Sequence, residues 1–528
     1  MVSAAVSLGR VGEERRMQEP GKIRTLEDIK AVAEKLRGKG KSITLCHGVF
    51  DLLHVGHLRH LRVARDFGDT LIVSITADEF VQKGPDRPAF QSLLRAEMLA
   101  ALELVDYVVV VYDLSAEPIL HAVKPNVYAK GADYIDPEED VTGKIVRERD
   151  IVEQYGGKLV FTEDITFSSS NLLNRFFNVF DPEVKAYLHG LRADDGTTRI
   201  AELLDKIKCM NVLVVGDAII DRYSYVTAMG KSAKEHMIAT LLQSSETFAG
   251  GVFATANHVA SFCDKVDVLT CLGGSEEENF EDLVRASLRS NVGLTPVHRH
   301  GAPTTLKTRF VEPTYLRKLF EVYSMDDSPL KPDEQAHVDR RLEASIRDYD
   351  VVIVNDFGHG MIARSTIDIL TEQARFLAIN TQINAGNNGF NLITKYSRAD
   401  YICLDVPEAR MAVHDKTSSI EAVCGELLPS QIDCPNIIIT HGRAGCFAYR
   451  RSQNKVMHIP ALTQQVIDTV GAGDAFLAVT APMVAVGGDI GLVGFIGNIA
   501  GAVKVGIVGH RNFVEKSVLH KYAATLLK

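Results

Sequence analysis

The chain has 528 residues, of which 46% are hydrophobic and 24% are charged, so its composition is that of a folded globular protein and excludes a largely disordered one. Its length corresponds to about three to four units of roughly 150 residues each. The formal net charge of −10 argues against bulk, salt-driven nucleic-acid binding, although local donors can still bind small anions.

Short apolar strands alternate with amphipathic helices along the first 176 residues. A helical segment at 24–37 is followed by strands at 42–46, 70–76, 107–111, 127–130 and 158–161, with helices at 57–67 and 92–104 between them. This alternation indicates a parallel sheet with crossover helices. We predict a flexible N-terminus over 1–23 and a first α/β domain over 24–176.

The alternation resumes in the second part of the chain. Residues 177–210 are predicted to be a helical linker, and 211–528 a second α/β domain with strands at 212–215, 266–270, 351–354, 376–379, 401–404 and 437–440. The least charged stretch is 475–509, whose two uncharged runs have 14 residues each. Runs of this length are short for a membrane span, so buried helices are predicted there.

Eight cysteines are scattered along the chain without any CxxC pair, which predicts reduced, mostly buried thiols and neither a disulfide framework nor a zinc site. The first twenty residues lack the continuous apolar run of a signal peptide. Basic and aromatic residues do not cluster. We therefore expect a cytoplasmic protein with no membrane and no nucleic-acid partner.

A turn containing paired histidines follows the first long strand. The segment His47-Gly-Val-Phe-Asp-Leu-Leu-His54-Val-Gly-His57 joins that strand to the start of a helix. Free backbone N–H groups and the positive end of the helix dipole make such a start a seat for phosphate. His54 and His57 are three residues apart, so both imidazoles can face one phosphate group. A lone histidine there would be a cap or a core residue, but the pair with its glycine predicts a phosphate site.

Residues 24–176 resemble the HxGH nucleotidyltransferases, and in particular their cytidylyltransferase-like branch. The resemblance implies a Rossmann-like domain in which a phosphate of the acceptor attacks the α-phosphate of a nucleoside triphosphate and pyrophosphate leaves. It also implies that His54 and His57 are catalytic and that Mg²⁺ bridges the triphosphate. The nucleotide- and phosphate-binding residues implied in the same way are Val49, Phe50, Lys83, Arg95, Lys130, Gly131, Asp133, Ser168, Ser169 and Ser170. Two alternatives stay open, a solvated lysine for Lys83 and a structural ion pair for Arg95.

A turn of small residues opens the uncharged stretch of the second domain. It reads Asp468-Thr-Val-Gly471-Ala472-Gly473-Asp474 and exposes successive backbone N–H groups, which together form an anion hole. A carboxylate repels phosphate but is a suitable general base for a hydroxyl that attacks one. Asp474 is therefore the predicted catalytic base beside this hole.

Residues 211–528 resemble the PfkB (ribokinase-type) sugar kinases. The resemblance implies a three-layer α/β domain with a small β lid, in which the γ-phosphate of ATP is transferred to a sugar hydroxyl. It assigns sugar binding to Asp217, Asp221, Gly250, Gly251 and Asn257. It assigns nucleotide and phosphate binding to Thr440, Gly442, Gly445, Gly471, Ala472 and Gly473, and Mg²⁺ binding to Asp405 and Glu408.

Two segments need separate interpretation. Residues 380–388 are rich in amides where related kinases often carry Asp-Pro-Lys, which indicates either retuned nucleotide contacts or reduced kinase activity. Lys307 and Arg309 resemble the T-x-x-K-x-R region of heptose kinases. They either clasp a phosphate already on the sugar or are exposed basic residues on a strand.

Together the two halves resemble the bifunctional heptose kinase/nucleotidyltransferases that supply ADP-heptose, with the order of the domains reversed. The resemblance implies an enzyme that phosphorylates a sugar or sugar phosphate with ATP and couples a heptose-like sugar 1-phosphate to a nucleotide from ATP or CTP. The alternative is an active nucleotidyltransferase fused to a non-catalytic sugar-binding or oligomerisation module. Both families imply a homo-oligomer, expected to be a dimer.

Overall fold

The structure is a computed structural model, and it describes residues 21–81, 87–131, 144–162, 181–274, 279–463 and 466–527. The chain divides into two compact units, residues 1–179 and residues 180–527. Each unit has its own sheet and its own core, and each is described by itself.

The first unit contains a six-stranded sheet whose strands are all parallel. The strands are β1 Ile23–Arg24, β2 Ile43–Gly48, β3 Thr70–Thr76, β4 Tyr107–Val111, β5 Val127–Gly131 and β6 Lys158–Thr162, in the order β1-β4-β3-β2-β5-β6. The helices are α1 Leu26–Gly38, α2 Val55–Arg65, α3 Ser92–Ala100, α4 Glu117–Val123 and α5 Lys144–Gln154. The predicted parallel sheet with crossover helices is confirmed.

The strand order of the first unit determines where a ligand can bind. The chain leaves β2 in one direction to form β3 and β4, and β5 lies on the other side of β2. In an open parallel sheet, such a reversal leaves a crevice beyond the carboxyl ends of the two strands. One apolar cluster, with α1, α4 and α5, covers one face of the sheet, and a second cluster, with α2 and α3, covers the other. The crevice therefore lies beyond Gly48 and Gly131.

The second unit is built on a nine-stranded sheet. Its strands are β7 Asn211–Gly216, β10 Lys265–Gly273, β11 Val292–Arg299, β14 Val351–Asp356, β15 Leu377–Thr381, β16 Tyr401–Asp405, β17 Asn436–Thr440, β18 Cys446–Arg450 and β19 Lys455–Ile459. Their order in the sheet is β11-β10-β7-β14-β15-β16-β17-β18-β19. The sheet is parallel from β11 to β17, and β18 and β19 extend it in antiparallel fashion. All six strands predicted for this domain are confirmed.

Four strands of the second unit form a separate small sheet, which we call the lid. They are β8 Ala218–Lys231, β9 Ile238–Gly251, β12 Thr305–Glu312 and β13 Arg317–Ser324, in the order β13-β12-β8-β9. Strand β8 follows β7 with Asp217 alone between them. The small β lid predicted from the resemblance is therefore present.

Helices cover both faces of the nine-stranded sheet. They are α6 Pro182–Ala193, α7 Gly196–Lys208, α8 Val252–Val259, α9 Glu281–Ser287, α10 Pro332–Ser345, α11 Arg364–Gln373, α12 Val406–Ala412, α13 Ile420–Ala422, α14 Leu428–Gln431, α15 Ala472–Ala485, α16 Ile490–Lys504 and α17 Lys516–Leu527. Helices α6 and α7 cover most of the predicted linker, and they bury Leu188 and Leu204 in the same core as α15 and α16. In the described part of the chain, the helical segment thus packs as part of the second unit.

The uncharged stretch forms α15 and α16, whose apolar side chains are buried in that core. No helix among the described residues has both the length and the apolar character needed to cross a membrane. All eight cysteines are free thiols, six of them are buried, and Cys209 is exposed. The prediction of mostly buried, unpaired cysteines is confirmed.

Candidate active sites

The paired histidines lie at the start of α2, directly beyond the carboxyl end of β2. His54 is the N-cap residue of this helix, and its Nδ1 accepts the N–H of Gly56 at 3.1 Å. Because Nδ1 is an acceptor, the ring proton of a neutral His54 is on Nε2, which can donate. The His54 and His57 rings stack with centroids 4.0 Å apart, and the Phe50 ring lies 5.2 Å from His57. The turn therefore holds both imidazoles side by side at the edge of the crevice.

Lys130 lies at the carboxyl end of β5, across the crevice from β2. Its Nζ is 3.1 Å from Oε2 of Glu148, and the hydroxyl of Tyr128 donates to the same oxygen at 2.9 Å. Burial acts to raise the pKa of Glu148, but the charges of Lys130 and His47 and its hydrogen bonds leave that pKa below its usual value. Lys130 is therefore a cation held by an ionised carboxylate. The sequence did not indicate Glu148, because one acidic residue in a polar helix carries no signal.

Arg95 is fully buried and contacts the histidine turn through the carbonyl oxygen of Val49. Its guanidinium donates to the carbonyl oxygens of Val49 at 2.5 Å, Thr76 at 2.9 Å and Phe90 at 2.8 Å, and it pairs with Asp78 at 2.6 Å. A guanidinium with these partners binds backbone and carboxylate instead of projecting into the crevice. In this structure Arg95 thus has the partners of the structural alternative, in which it positions the turn, and its predicted phosphate contact stays a prediction.

Several predicted phosphate-binding residues of the first unit, Lys83, Asp133, Ser168, Ser169 and Ser170, lie outside the described residues. Their contacts stay predictions. Asp51, which the sequence did not single out, is buried within the histidine turn and accepts the N–H of Ala89 at 2.6 Å. Together with Arg95 it fixes the backbone that carries His54 and His57.

The second unit contains a cavity of about 560 Å³ between the lid and the carboxyl ends of the nine-stranded sheet. The predicted site residues that line it are Asp221, Gly251, Asp405, Glu408, Thr440, Gly442, Gly471, Gly473 and Asp474. Residues separated by more than 250 positions in the sequence thus meet in one space. Lys307 and Arg309 of the lid and His510 also line this cavity.

Asp474 lies in the first turn of α15, next to the anion hole. The helix begins after Gly471, which has a φ of 75° and thus adopts a conformation that favours glycine. The side-chain amide of Asn355 donates to Asp474 Oδ1 at 3.2 Å. Burial raises the pKa of Asp474 to about 6, against the opposing charges of His510 and Lys504. A carboxyl with such a pKa is ionised near neutrality and basic enough to accept a proton.

Asp221 lies on β8 in the floor of the lid. Arg309 donates to its Oδ1, and Nε2 of His510 lies 3.3 Å from its Oδ2. These partners hold the pKa of Asp221 well below its usual value although burial acts to raise it. Gly250 is required here, because a Cβ on this residue would lie 2.0 Å from Asp221 Oδ2. Gly250 thus shapes the site and does not itself line the cavity.

Two predicted sugar-binding residues do not reach the cavity. The Asp217 carboxylate accepts the backbone N–H groups of Phe357 at 3.0 Å, His359 at 3.3 Å and Met361 at 3.3 Å. Asn257 is buried in α8, where it donates to the carbonyl of Ser287 at 3.1 Å and accepts from the N–H of Arg289 at 2.9 Å. In this structure both side chains hold neighbouring loops, and their predicted sugar contacts stay predictions.

Asp405 and Glu408 form a capping box at the start of α12. Asp405 accepts the N–H of Glu408 at 2.8 Å, and Glu408 accepts the N–H of Asp405 at 2.8 Å. Burial and the nearby Asp405 raise the pKa of Glu408 to about 8. Two close carboxylates with raised pKa values are suited to a divalent cation, which would stabilise their ionised forms.

The fit to Mg²⁺ depends on the nucleotide. Within the described residues, no group of three or more His, Cys, Asp or Glu side chains could hold a metal ion. Mg²⁺ is commonly bound in proteins by one or two carboxylates together with substrate phosphates and water. Asp405 and Glu408 at the cavity wall match that mode, with the remaining ligands left to the nucleotide and to water.

The amide-rich segment after β15 folds by hydrogen bonds to its neighbours. Asn384 and Asn387 donate to the carbonyl of Phe357 at 2.8 and 3.1 Å, and Asn391 donates to the carbonyl of Asp356 at 2.7 Å. These uncharged side chains therefore hold the loop in place through hydrogen bonds to backbone carbonyls. Lys307 and Arg309 of the lid bring positive charge to the cavity wall.

Gly445, a predicted nucleotide-binding residue, lies outside the cavity wall. It has a φ of 92°, and a Cβ there would lie 2.0 Å from the carbonyl oxygen of Ile459. A glycine is therefore needed at position 445 for the turn that places Gly442 in the cavity wall. Ala472 begins α15 between Gly471 and Gly473, in the position predicted for the anion hole.

Asp468 was part of the motif, but the sequence did not assign it a role. Its carboxylate accepts the hydroxyl of Tyr223 at 2.7 Å, Nζ of Lys318 at 2.6 Å and the N–H groups of Val470 at 3.1 Å and Gly509 at 2.8 Å. Burial acts to raise its pKa, but these bonds lower it to about 2. Asp468 thus ties the anion hole to the lid and to the turn after α16.

Comparison with known proteins confirms both family resemblances. Residues 45–175 match the cytidylyltransferase-like family, and residues 210–517 match the pfkB family of carbohydrate kinases. The bifunctional protein HldE of Geobacter metallireducens is 35% identical over 188 residues, which cover 34% of this chain and 36% of the relative. HldE of Aliarcobacter butzleri is 42% identical over 139 residues, which cover 26% of this chain and 29% of the relative. The chain thus spans about a third of the length of the curated relatives it matches.

Several solved kinase structures are similar to part of the chain. A ribokinase from Thermotoga maritima has a TM-score of 0.47 and 17% identity, with 60% of this chain and 99% of the ribokinase covered. The tetrameric inhibited form of phosphofructokinase-2 from Escherichia coli has a TM-score of 0.48 and 12% identity, with 60% and 100% covered.

Proposed function

The chain belongs to the pfkB family of carbohydrate kinases, and we propose that its second unit transfers the γ-phosphate of ATP to a hydroxyl of a sugar or sugar phosphate. The observation that carries this proposal is the position of Asp474. Its carboxyl lies beside the anion hole and lines the same cavity as Asp221 and the carboxylate pair Asp405 and Glu408. A base, a site for the acceptor and a site for the nucleotide therefore meet in one space.

Each group has a defined task in this reaction. Asp474 accepts the proton of the attacking hydroxyl, while the backbone amides of Gly471, Ala472 and Gly473 stabilise the charge on the transferred phosphoryl group. Asp221, held ionised by Arg309, accepts hydrogen bonds from sugar hydroxyls. Mg²⁺, when bound by Asp405 and Glu408, supplies charge neutralisation at the triphosphate.

The lid favours an acceptor that is already anionic. Lys307 is buried in the cavity wall, with its ammonium 5.1 Å from the Tyr323 ring and 5.9 Å from the Phe357 ring. Burial lowers its pKa, and the nearby Arg309 charge adds to that effect. A buried cation beside two rings gains most from an anionic ligand. We therefore propose a sugar phosphate as acceptor, and a heptose phosphate as the leading candidate because Lys307 and Arg309 resemble the T-x-x-K-x-R region of heptose kinases.

For the first unit, we propose nucleotidyl transfer from ATP or CTP to a heptose-like sugar 1-phosphate, with release of pyrophosphate. The stacked pair of His54 and His57 at the start of α2 supports this, because the two rings and the helix terminus converge where phosphates would lie. The match to the cytidylyltransferase-like family supports it independently. No covalent intermediate is needed, so catalysis consists of positioning and charge neutralisation.

A matrix of nucleoside triphosphates and sugar phosphates, with Mg²⁺ and mass detection of products, tests both activities. We expect a sugar bisphosphate from the kinase and a nucleotide sugar with pyrophosphate from the transferase. Asp474→Asn should lower phosphoryl transfer by at least about 100-fold and leave nucleotidyl transfer unchanged. His57→Ala should have the opposite pattern, so each variant is the control for the other.

The same matrix tests the alternative of a non-catalytic module. If sugar phosphates bind the purified chain but neither the unaltered protein nor Asp474→Asn phosphorylates any of them, the second unit is a binding module. If pyrophosphate is released with none of the sugar 1-phosphates although they bind, the nucleotidyltransferase proposal is wrong.

We further propose that the chain forms a homodimer through the lid. The lid strands expose apolar side chains, with exposed fractions of 73% for Ile238, 58% for Leu242 and 53% for Phe320. Burying such side chains against a second copy removes apolar surface from water. Light scattering should give the mass of a dimer for the unaltered chain and that of a monomer for Ile238→Lys. A monomeric unaltered chain would contradict this proposal.

A further inference from the structure

A single lysine ends the apolar helix α16 inside the core of the second unit. Lys504 is fully buried, and its Nζ donates to the carbonyl oxygens of Val470 and Gly509, each at 2.7 Å. Its side chain also packs against the anion hole, since a Cβ placed on Gly471 would lie 3.3 Å from Lys504 Cε. The ammonium group therefore lies directly behind the turn that opens α15.

Asp468 binds the same two residues through their other polar groups. It accepts the N–H of Val470 at 3.1 Å and the N–H of Gly509 at 2.8 Å. In both Val470 and Gly509, the backbone N–H thus donates to the Asp468 carboxylate and the backbone C=O accepts from the Lys504 ammonium. Val470 immediately precedes Gly471, so this clamp determines the direction in which the backbone enters the anion hole.

A purely structural explanation fits this lysine poorly. Burial lowers the pKa of Lys504 to about 8, although Asp468, Asp474 and Asp221 act to raise it. A buried ammonium is costly, and an apolar side chain of similar length could fill the same space. Unlike an apolar side chain, the lysine ammonium can donate hydrogen bonds to the carbonyls of both Val470 and Gly509. It also places a positive charge next to the site of phosphoryl transfer.

We propose that Lys504 is a positioning residue of the kinase centre, which orients the anion hole through the carbonyls of Val470 and Gly509. The inference rests on the proposed kinase function. Without the ammonium, the two carbonyls lose their donor, and the turn over 470–473 no longer presents its amides in one direction. Substrate binding elsewhere in the cavity is unaffected, so the effect falls on the rate of transfer.

Two substitutions separate the cation from the space that it fills. Lys504→Met keeps the length of the side chain and removes the charge, whereas Lys504→Ala leaves a space in which ammonium ion can bind. We expect both variants to lower kcat about 100-fold with KM for ATP changed less than about threefold. Ammonium chloride should raise the kcat of Lys504→Ala by at least about tenfold and leave the kcat of Lys504→Met unchanged. Sodium chloride at equal ionic strength, and Lys206→Met on the exposed face of α7, are the controls.

Hydrogen exchange measured by mass spectrometry gives a readout that does not need activity. We expect faster exchange in peptides covering 470–474 and 509 in both variants, reversal by ammonium in Lys504→Ala alone, and unchanged exchange in the strands of the nine-stranded sheet. Faster exchange throughout the second unit would indicate a merely structural lysine and would overturn the proposal. Unaltered kcat in Lys504→Met, or unaltered exchange at 470–474, would also overturn it. If the unaltered protein transfers no phosphate, the proposed function fails, and the exchange data still decide the role of Lys504.

Discussion

Replacing Gly250 by alanine should damage the acceptor site through one defined collision. The added Cβ would lie 2.0 Å from Asp221 Oδ2 and 3.2 Å from His510 Nε2, whereas ordinary contacts begin at 3.4 Å. The carboxylate oxygen would have to move by about 1.4 Å, the difference between these distances. Asp221 is buried and bonded to Arg309 and His510, so it has little room to move.

The magnitude follows from what that movement disrupts. Overpacking of a buried site costs about 1–3 kcal/mol, and losing one hydrogen bond to a charged group costs about 1.5–3 kcal/mol. Because the two effects share one side chain and are not additive, we expect the free energy of unfolding of the second unit to fall by about 3 kcal/mol. The displaced carboxylate should also raise KM for the sugar phosphate more than it lowers kcat.

Urea unfolding of the full chain, followed by hydrogen exchange in peptides from the second unit, measures this change. Gly190→Ala is the matched control, because Gly190 lies in α6 with no atom within 4 Å of its added Cβ. Alanine in a helix is more favourable than glycine, so the control should gain about 0.5–1 kcal/mol. A Gly250→Ala protein within about 0.5 kcal/mol of the unaltered chain, with the same KM, would refute the reasoning.

Three further outcomes are expected. The kinase kcat/KM should fall as the pH drops through about 6, because protonation removes the Asp474 base, and a flat profile down to pH 5 would contradict that role. Asp468 has a folded-state pKa of about 2, below the unfolded value of 3.8, so its ionised form contributes about 2 kcal/mol to the free energy of unfolding at neutral pH. This contribution is lost as the pH falls from about 4 to 2, and the urea unfolding midpoint of Asp468→Asn should lack that part of the pH dependence. Arg95→Met should destabilise the first unit by about 3–5 kcal/mol and abolish nucleotidyl transfer, whereas the exposed Arg149→Met should change its thermal unfolding little.

Much of the fold could be predicted from local patterns. Five of the six strands in the first sheet and six of the nine in the nine-stranded sheet were predictable, because a buried parallel strand is a short, continuous apolar run between helices. Strands β1, β11, β18 and β19, at or next to the edges of these sheets, were not predicted. The lid strands were not located in the same way. Strand β9 Ile238–Gly251 has a mixed polar pattern, since its outer residues are exposed and only its last three residues are buried. Its existence was expected only from the resemblance.

The catalytic candidates were predictable where backbone and side chain belong to one turn. His54, His57 and Asp474 each lie at a helix start that follows a short, diagnostic sequence, so their relation to the helix terminus is local. Asn257 and Asp217 could not be assigned in this way. Their hydrogen-bond partners lie 30 and 140 residues away along the chain. The sequence does not show which distant loop a polar side chain will bind.

By itself, the sequence determined the two α/β domains, the two strand-to-helix turns and the chemistry of the groups on them, because these depend on neighbours along the chain. Tertiary structure alone decided which of those groups share a space. It brought Lys504 to Val470 across 34 residues and Asp468 to Gly509 across 41 residues, and it joined Asp221 to Arg309 across 88 residues. A buried charged group must be hydrogen-bonded or paired, and only the packing of the core determines which partners lie beside it. The supports of the anion hole and of the acceptor site therefore became visible only in the folded protein.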